Sequence, residues 1–260
     1  MNLKGKTVLV SGATGGMGEA LAKQCAQEGC KIALFARREE QLKILCKQLA
    51  KKTSCVYKKC DVTNPNEVKN AVLFTQKKFG GIDIALLSAG VLMPNPIETI
   101  NSSIITKSMQ INFFGNVYFI EQLMPVMKKQ HTGTIAVVST LPDRRGIPGW
   151  GAYGASKAAL SWLMESLRAE GKQKYNINFI TIKPGSVETP MIEEYHRAGA
   201  ISPEKAAAII IKGIKRGKKV IQFPLSQVMM IRLGDLFPVA AYDMIPVEMQ
   251  KGDGFPNPEE

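Results

Sequence analysis

The stretch that decides the fold is Thr7-Val8-Leu9-Val10-Ser11-Gly12-Ala13-Thr14-Gly15-Gly16-Met17-Gly18. It opens with a short apolar run that predicts a buried strand, and it continues through a glycine-rich turn into a helical pattern that ends near Gly29. The pyrophosphate of a dinucleotide needs a turn without Cβ obstruction and the free N–H groups of a helix N-terminus. Gly12, Gly16 and Gly18 supply that geometry, so the turn predicts a dinucleotide site between a strand and a helix.

Strands and helices alternate along the rest of the chain. The further predicted strands are Lys31–Phe35, Cys55–Lys59, Ile82–Leu87, Thr134–Ser139, Asn176–Ile182 and Val220–Phe223. The predicted helices are Glu39–Lys51, a helix that starts at Asn64-Pro65 and closes at Gly80, and then Ser102–Lys129, Trp150–Lys172 and Pro203–Arg216. This alternation predicts one α/β domain over residues 1–260, a doubly wound parallel sheet of about seven strands with helices on both faces.

The composition is that of a folded globule, with 45% hydrophobic and 22% charged residues. The N-terminus has Lys4 and Lys6 where a secretory signal needs its apolar stretch, and no run approaches the roughly 18 apolar residues of a membrane span. We therefore expect a cytoplasmic protein that does not span a membrane. The five cysteines are odd in number and lack C-x2-C spacing, which argues for free thiols and against a disulfide framework or a metal site.

Basic residues exceed acidic ones, since 34 Lys and Arg against 22 Asp and Glu give a net charge of +12. They come mostly as scattered pairs, which are typical of solvated helix ends and favour anionic ligands. The pair Arg37-Arg38 directly follows the second strand, where an acidic residue would select NAD and an arginine accommodates the 2′-phosphate of NADP. This pair predicts NADP(H) as cofactor. No nucleic-acid motif appears, so we expect no nucleic-acid partner; the contrary hypothesis predicts salt-sensitive binding to any duplex.

Tyr153 and Lys157 are spaced so that both side chains lie on one face of a helix. An ammonium group beside a phenol favours the phenolate and lowers the pKa of the phenol, which lets it transfer a proton near neutral pH. The hydroxyls of Ser139 and Thr140 stand at the end of a predicted buried strand upstream. Because a strand-end hydroxyl can hydrogen-bond a substrate oxygen that the tyrosine protonates, these four residues are the candidate catalytic group.

Along essentially its whole length, the chain resembles the classical short-chain dehydrogenases/reductases. The blocks that agree in order and spacing are Gly12–Gly18, Asp61-Val62, Ser88-Ala89-Gly90, Asn112, Ser139/Thr140 with Tyr153 and Lys157, and Pro184-Gly185-Ser186-Val187-Glu188-Thr189. The resemblance implies a Rossmann-like fold in which Asp61 contacts the adenine, Thr189 holds the carboxamide, and Asn112 anchors a water-linked proton relay to Lys157. The other implied cofactor-binding residues are Gly12, Thr14, Gly15, Gly16, Met17, Gly18, Val62, Ser88, Ala89, Gly90, Tyr153, Pro184, Gly185 and Val187.

Two positions depart from the family pattern. The usual N-N-A-G reads Leu87-Ser88-Ala89-Gly90, which loses an amide that normally ties neighbouring strands together. The usual catalytic serine stands 13 residues before the tyrosine, and that register falls on Thr140, which keeps the hydroxyl but adds a methyl group and a stiffer χ1. We expect Thr140 to be the catalytic hydroxyl, with Ser139 as the alternative if the strand end is shifted by one residue.

These features predict an NADP(H)-dependent oxidoreductase that moves a hydride between nicotinamide and a carbonyl or secondary alcohol. The alternative is an NADP(H) sensor or scaffold that keeps the fold with little turnover, and only the serine-to-threonine change favours it. The two long helices, Ser102–Lys129 and Trp150–Lys172, carry apolar residues around more of their circumference than the sheet can cover. With the family resemblance, this predicts a homodimer or a homotetramer.

The substrate loop and the C-terminal part, at about 186–260, are expected to set specificity. Ser226–Ala241 is strongly apolar, which allows a helix packed on the core or a neighbouring subunit, a wall of an apolar pocket, or a peripheral contact with a membrane surface. The C-terminal part also resembles that of reductases of steroid-like or long-chain keto lipids, so we predict a hydrophobic ketone as the small-molecule substrate. His196 is a candidate substrate contact, and Asp143-Arg144-Arg145 is either a solvated loop or an edge of the active site.

Overall fold

The computed structural model describes residues 1–191 and 199–245. The strands are β1 (Thr7–Ser11), β2 (Lys31–Ala36), β3 (Cys55–Lys59), β4 (Ile84–Leu87), β5 (Gly133–Val138), β6 (Ile177–Pro184) and β7 (Val220–Phe223). The helices are α1 (Gly16–Gln27), α2 (Glu39–Leu49), α3 (Pro65–Phe79), α4 (Ser102–Met109), α5 (Gly115–Gln130), α6 (Gly151–Tyr175), α7 (Pro203–Lys215), α8 (Leu225–Gly234) and α9 (Val239–Asp243). A 3₁₀ turn covers Ile97–Thr99, and a π-helical turn covers Gln110–Phe114.

The seven strands of the described residues pair in parallel, in the order β3-β2-β1-β4-β5-β6-β7. The chain winds outward from β1 to β3 and then returns to the other side of β1 with β4. The strand order therefore reverses between β1 and β4, and open α/β sheets bind ligands outside the carboxyl ends of the strands at such a point. This topology confirms the predicted α/β fold with a doubly wound parallel sheet and helices on both faces.

An apolar core lies on each face of the sheet. On one face, Val8 and Val10 of β1 belong to a core with residues of α1, α2 and α7. On the other face, Leu9 of the same strand packs in a core with residues of α3, α5 and α6. Successive strand residues point to opposite faces, so a strand that is covered twice needs an unbroken apolar run. All five residues of β1 are buried accordingly.

Local signals set the ends of α3 as the sequence predicts. The side-chain oxygen of Asn64 accepts hydrogen bonds from the backbone N–H groups of Asn66 and Glu67, and Pro65 occupies the first helical position. Gly80 ends the helix in the left-handed conformation, with φ 83°. The other predicted strands and helices up to β7 agree with the structure to within about three residues at each end, apart from one helix.

That helix is Ser102–Lys129, which we predicted as continuous and which the structure divides into α4 and α5. The π turn at Gln110–Phe114 separates the two helices. Such turns insert one residue into a helix and occur frequently at functional sites, and apolar periodicity does not reveal a one-residue insertion. The π turn contains Asn112, whose side chain is fully buried and hydrogen-bonded to the backbone of Val91.

The two long helices expose fewer apolar side chains than we expected when we predicted an oligomer. Phe119, Leu160 and Met164 are buried in the core of the chain itself. Trp162 is 78% exposed, and Phe114 is 37% exposed. The homodimer or homotetramer stays a prediction that depends on these two side chains and on the family resemblance, and a monomeric mass in light scattering would contradict it.

Helices α8 and α9 are not packed on the core of the chain, which was one of the alternatives for Ser226–Ala241. Neither helix contains a buried residue. Most of their large apolar side chains are exposed. The exposed ones are Leu225, Met229, Met230, Leu233 and Val239 in the helices and Leu236 and Phe237 between them. Hydrophobic burial within the chain therefore contributes little to holding α8 and α9 in place, and a contact with a neighbouring subunit or with a membrane surface stays a prediction.

The two glycines Gly171 and Gly154 of α6 are expected to respond oppositely to alanine. A Cβ on Gly171 would lie 2.7 Å from Cδ2 of the buried Phe179, so Gly171→Ala should destabilise the protein by about 1–3 kcal/mol. A Cβ on Gly154 would meet no atom within 4 Å, so Gly154→Ala should stabilise by about 0.5–1 kcal/mol through helix propensity. Urea unfolding of the two variants measures the difference, and equal shifts would contradict the close packing of α6 on β6.

Candidate active site

A cavity of about 1850 Å³ lies at the carboxyl ends of the strands. Sites for one drug-sized ligand occupy roughly 300–1,000 Å³, so this volume accommodates a cofactor and a substrate together. Every catalytic and cofactor-binding residue that the sequence predicts lines the cavity except Asn112. The structure thus brings together at one edge residues that lie as far apart in the chain as Gly12 and Thr189.

The glycine-rich turn approaches its neighbours too closely for any side chain. A Cβ on Gly12 would lie 2.7 Å from Cα of Ala89, and one on Gly16 would lie 2.8 Å from Cγ2 of Thr189. A Cβ on Gly18 would overlap the carbonyl oxygen of Gly12. These glycines leave a cradle of backbone at the N-terminus of α1, and this arrangement fits the pyrophosphate of a dinucleotide.

Arg37 and Arg38 line this cavity directly after β2, where we expect the adenosine of a dinucleotide. The Arg38 guanidinium donates hydrogen bonds to Oγ1 of Thr14, at 3.2 Å, and to the carbonyl oxygen of Thr14. Arg38 is thereby fixed against the glycine-rich turn. Asp61 accepts hydrogen bonds at Oδ1 from the backbone N–H and the hydroxyl of Thr63, at 2.9 and 2.8 Å, which orients its carboxylate at the same end.

Ser88 replaces the strand-tying amide that the sequence lacks. Its Oγ donates a hydrogen bond of 2.7 Å to the carbonyl oxygen of Ser11, and its backbone N–H donates to the same oxygen at 3.3 Å. The end of β4 is thus joined to the end of β1. The Ser88 hydroxyl therefore makes the connection between β1 and β4 that the family pattern assigns to an amide side chain.

Lys157 lies on α6 one turn after Tyr153, and its side chain is buried. Its Nζ donates a hydrogen bond of 2.8 Å to the carbonyl oxygen of Val138 and lies 5.9 Å from the centroid of the Tyr153 ring. Burial penalises the ammonium form and lowers the pKa of Lys157 from its usual value to about 8. A cation near neutral pH therefore stands beside the phenol, as the spacing of the two residues predicts.

The two candidate hydroxyls have different surroundings. Ser139 Oγ donates to the carbonyl oxygen of Lys157 at 3.0 Å and is 2.8 Å from Ser161 Oγ, so it is engaged with α6. Both residues line the cavity, and Thr140 directly follows Ser139 in the chain. Since consecutive residues of an extended chain point in opposite directions, the engagement of Ser139 favours Thr140 as the hydroxyl that faces a substrate.

Asn112 fastens the loop after β4 to α6 without lining the cavity. Its Oδ1 accepts from the N–H of Val91 at 2.8 Å, and its Nδ2 donates to the Val91 carbonyl oxygen at 2.9 Å and to Ser156 Oγ at 3.0 Å. A Cβ on Gly90 would lie 3.2 Å from both Asn112 Oδ1 and Lys157 Nζ, so these two polar atoms flank Gly90. The water-linked relay from Asn112 to Lys157 stays a prediction.

The sequence does not reveal how the C-terminal helices contact the site. Gln227 of α8 accepts a hydrogen bond from the N–H of Ser186 at 2.8 Å and donates to the carbonyl oxygen of Gly199 at 3.2 Å. Met230 and Ile231 of the same helix line the cavity, as the pocket-wall alternative predicts. A lone glutamine in an apolar stretch carries no motif, so only tertiary contacts reveal this role.

Asp143 contradicts the interpretation of residues 143–145 as a solvated loop. Its side chain is only 2% exposed and forms salt bridges to Lys183 and Arg232. Arg145 lines the cavity, so the loop lies at the edge of the active site. The candidate substrate contact His196 lies outside the described residues.

The match to known families agrees with this geometry. The family model described as short chain dehydrogenase matches residues 6–199, which include the glycine-rich turn, the catalytic candidates and the loop after β6. The protein belongs to this family. The expected classical short-chain dehydrogenase/reductase is therefore confirmed, and the protein is an oxidoreductase of this type.

Relatives of this short-chain dehydrogenase cover most of its length. An uncharacterized oxidoreductase of Listeria monocytogenes is 29% identical over 234 residues, which are 85% of this chain and 94% of the relative. The 3-ketodihydrosphingosine reductase of Mus musculus is 30% identical over 233 residues, which are 83% of this chain and 70% of the relative.

Solved structures share the fold at lower identity. A short chain dehydrogenase/reductase from Burkholderia phymatum in complex with NAD has a TM-score of 0.84 at 19% identity, covering 99% of each chain. An alcohol dehydrogenase from Thermococcus sibiricus complexed with 5-hydroxy-NADP has a TM-score of 0.76 at 22% identity, covering 85% of this chain and 95% of the other. Both kinds of nicotinamide dinucleotide thus occur on this fold.

Two further properties of the dehydrogenase concern residues 1–191 and 199–245. None of their helices combines the length and the hydropathy of a membrane span. No group of three His, Cys, Asp or Glu side chains among them is arranged to hold a metal ion.

Burial of Lys157 predicts a characteristic pH dependence of stability in the cofactor-free protein. The pKa of Lys157 is about 8 when the side chain is buried in the folded protein and 10.5 when it is not buried. Between these two pH values the unfolded chain binds more protons than the folded protein, so the free energy of unfolding rises with pH. Lys157→Met should remove this rise and increase the free energy of unfolding at pH 7 by up to about 3 kcal/mol. Urea unfolding of both proteins from pH 7 to 11 measures it.

The matched control is Lys212→Met, because Lys212 is exposed on α7. It should leave the pH profile of the wild type unchanged. Parallel profiles of the wild type and Lys157→Met would show that the folded protein does not disfavour the ammonium.

Proposed function

We propose that the protein is an NADP(H)-dependent reductase of a hydrophobic ketone, acting on the carbonyl or, in reverse, on the secondary alcohol. The observation that carries the proposal is the buried Lys157 ammonium beside Tyr153, with Thr140 on the wall of the same cavity. When bound, the cofactor supplies the hydride, while the protein supplies placement and electrostatics.

The chain's own groups divide the proton chemistry among them. In reduction, Tyr153 donates its phenolic proton to the substrate oxygen. The positive charge of Lys157 stabilises the phenolate that remains after the transfer, and Lys157 also binds the nicotinamide ribose. The Thr140 hydroxyl donates a hydrogen bond to the carbonyl oxygen and stabilises the negative charge that develops on it.

The choice of NADP(H) is supported by the two arginines at the end of β2. Arg38 is anchored on Thr14 of the glycine-rich turn, and Arg37 lines the cavity next to it. Guanidinium groups bind phosphate through charge-assisted hydrogen bonds, so this pair favours a 2′-phosphate over a 2′-hydroxyl.

The hydrophobic substrate is supported by the cavity wall and by one relative. The wall of the substrate half is largely apolar and includes Leu92, Met93, Ile147, Trp150, Met230 and Ile231. The mouse relative is a 3-ketodihydrosphingosine reductase, whose name describes reduction of a long-chain ketone. The size of the cavity and the adaptable methionines suit a long chain better than a small polar substrate.

Turnover with a series of ketones of increasing chain length tests the proposal. We expect kcat/KM with NADPH to rise with length, by up to about 0.8 kcal/mol or roughly fourfold per added methylene, until the pocket is full. Tyr153→Phe should abolish turnover of every member while NADPH still binds, because the variant lacks only the proton donor.

Three outcomes would contradict parts of this proposal. A kcat/KM that stays flat or falls with chain length would contradict the hydrophobic substrate. If Tyr153→Phe retained half of the kcat, Tyr153 would not be the general acid. NADPH binding without turnover of any ketone would favour the sensor alternative. As a matched pair, Thr140→Val should lower kcat more than Ser139→Ala, and the opposite order would move the hydroxyl to Ser139.

Cofactor preference is a separate prediction. Arg37→Ala should weaken NADPH binding by about 1.5–3 kcal/mol, because it removes a charge-assisted contact to the 2′-phosphate. NADH binding by the same variant serves as the control and should hardly change. Fluorescence titration measures both affinities. Equal kcat/KM of the wild type with NADPH and NADH, or unchanged NADPH affinity in Arg37→Ala, would refute the preference.

A further inference from the structure

Helix α8 forms part of the cavity wall although no residue of it is buried. A helix in a globular protein is normally held by the apolar stripe that it buries. In α8 this contribution is small, so other contacts must set the distance between the helix and the catalytic residues. The polar contacts of α8 identify them.

Arg232 is the centre of these contacts. Its guanidinium lies 3.3 Å from Oδ1 of Asp143, on the loop after β5, and 2.7 Å from Oδ2 of Asp235, just after α8. Both carboxylates are almost completely removed from solvent, with side-chain exposures of 2% and 5%. Asp143 is also paired with Lys183, and Asp235 with Arg144 at 3.9 Å, but Arg232 pairs with both carboxylates. Buried carboxylates need paired charges, so the loss of Arg232 would leave each of them less well compensated and would remove the connection between them.

A second set of contacts joins the same loop to the segment after α8. Arg145 donates hydrogen bonds to the carbonyl oxygens of Asp235, at 3.2 Å, and Phe237. Its guanidinium lies 5.1 Å from the centroid of the Tyr242 ring, and the Tyr242 hydroxyl donates to the carbonyl oxygen of Gly146 at 3.2 Å. The loop and the C-terminal helices are therefore connected on both sides of Arg232.

The connected loop begins at the catalytic strand. Asp143 follows Thr140 by three residues, and its carboxylate is also paired with Lys183 of β6. Met230 and Ile231, which directly precede Arg232, line the cavity, whereas Arg232 itself does not. Arg232 thus connects the wall that would contact a substrate to the loop that follows the candidate hydroxyl.

We propose that Arg232, held between Asp143 and Asp235, is a positioning residue that sets the substrate-binding wall formed by α8. The proposal rests on the proposed function, because it concerns the same cavity. Arg232 acts through Met230 and Ile231 and touches neither the cofactor cradle nor the proton-transferring groups. Its loss should therefore weaken substrate binding and leave the chemical step intact.

The variants Arg232→Met and Arg232→Lys test this role. Arg232→Met should raise KM for the preferred ketone by roughly tenfold, with kcat and the affinity for NADPH nearly unchanged, which is the pattern of lost uniform binding. Arg232→Lys should lie between it and the wild type, because the compact ammonium keeps the positive charge but lacks the planar fork with which the guanidinium reaches both carboxylates. Arg216→Met is the control, since Arg216 is exposed at the end of α7, and it should leave KM unchanged.

Hydrogen–deuterium exchange of residues 225–234 provides a readout that needs no substrate. Uptake should increase in Arg232→Met and not in Arg216→Met, while peptides of the sheet stay protected in both. Unchanged uptake, or an unchanged KM despite increased uptake, would overturn the positioning role, as would an equal loss of kcat. If the wild type reduces no ketone, the proposed function fails, and the exchange experiment still decides whether Arg232 holds α8.

Discussion

Lys157 Nζ is buried and donates to the carbonyl oxygen of Val138 at 2.8 Å, and the arrangement of the catalytic half depends on that bond. A buried ammonium is tolerated only where its protons are accepted by oxygen. The strand-end carbonyl supplies that acceptor and thereby fixes α6 against the end of β5. Tyr153, one turn earlier on α6, and Thr140, two residues beyond Val138, are positioned by the same contact. Burial that is costly for stability thus creates a cation of lowered pKa beside a phenol.

The part of the cavity next to the glycine-rich turn depends on close approach of the backbone rather than on charge. At Gly12 and Gly16, the backbone meets Ala89 and the Thr189 side chain at distances that no Cβ would permit. These approaches join the ends of β1 and β4 to the loop after β6, so a dinucleotide would meet backbone N–H groups from a continuous surface. The hydroxyl of Ser88 adds the hydrogen bond that holds the two strand ends together.

The substrate wall follows a different physical rule from the core. The strands of the sheet and helices α1 to α3 and α5 to α7 are held by two apolar layers. Helices α8 and α9 are held mainly by Gln227, Arg232, Arg145 and their polar partners, and they expose their apolar side chains. Polar contacts of this kind can be exchanged without disturbing the core, so substitutions in α8 and α9 can change the cavity wall while the fold is kept.

The sequence by itself determined the α/β alternation, the parallel sheet, most helix ends and the set of residues at the site. These follow from local signals, such as apolar runs, Asn64 and Gly80 at the ends of α3, and from the ordered motifs of the family. Only the tertiary structure decided the π turn at Asn112, the engagement of Ser139 with α6, and the pairing of Asp143 with Arg232. The π turn is a one-residue insertion that apolar periodicity does not reveal. The other two contacts join residues that are distant in the chain, and the sequence of one element does not indicate which distant partner its polar groups will meet.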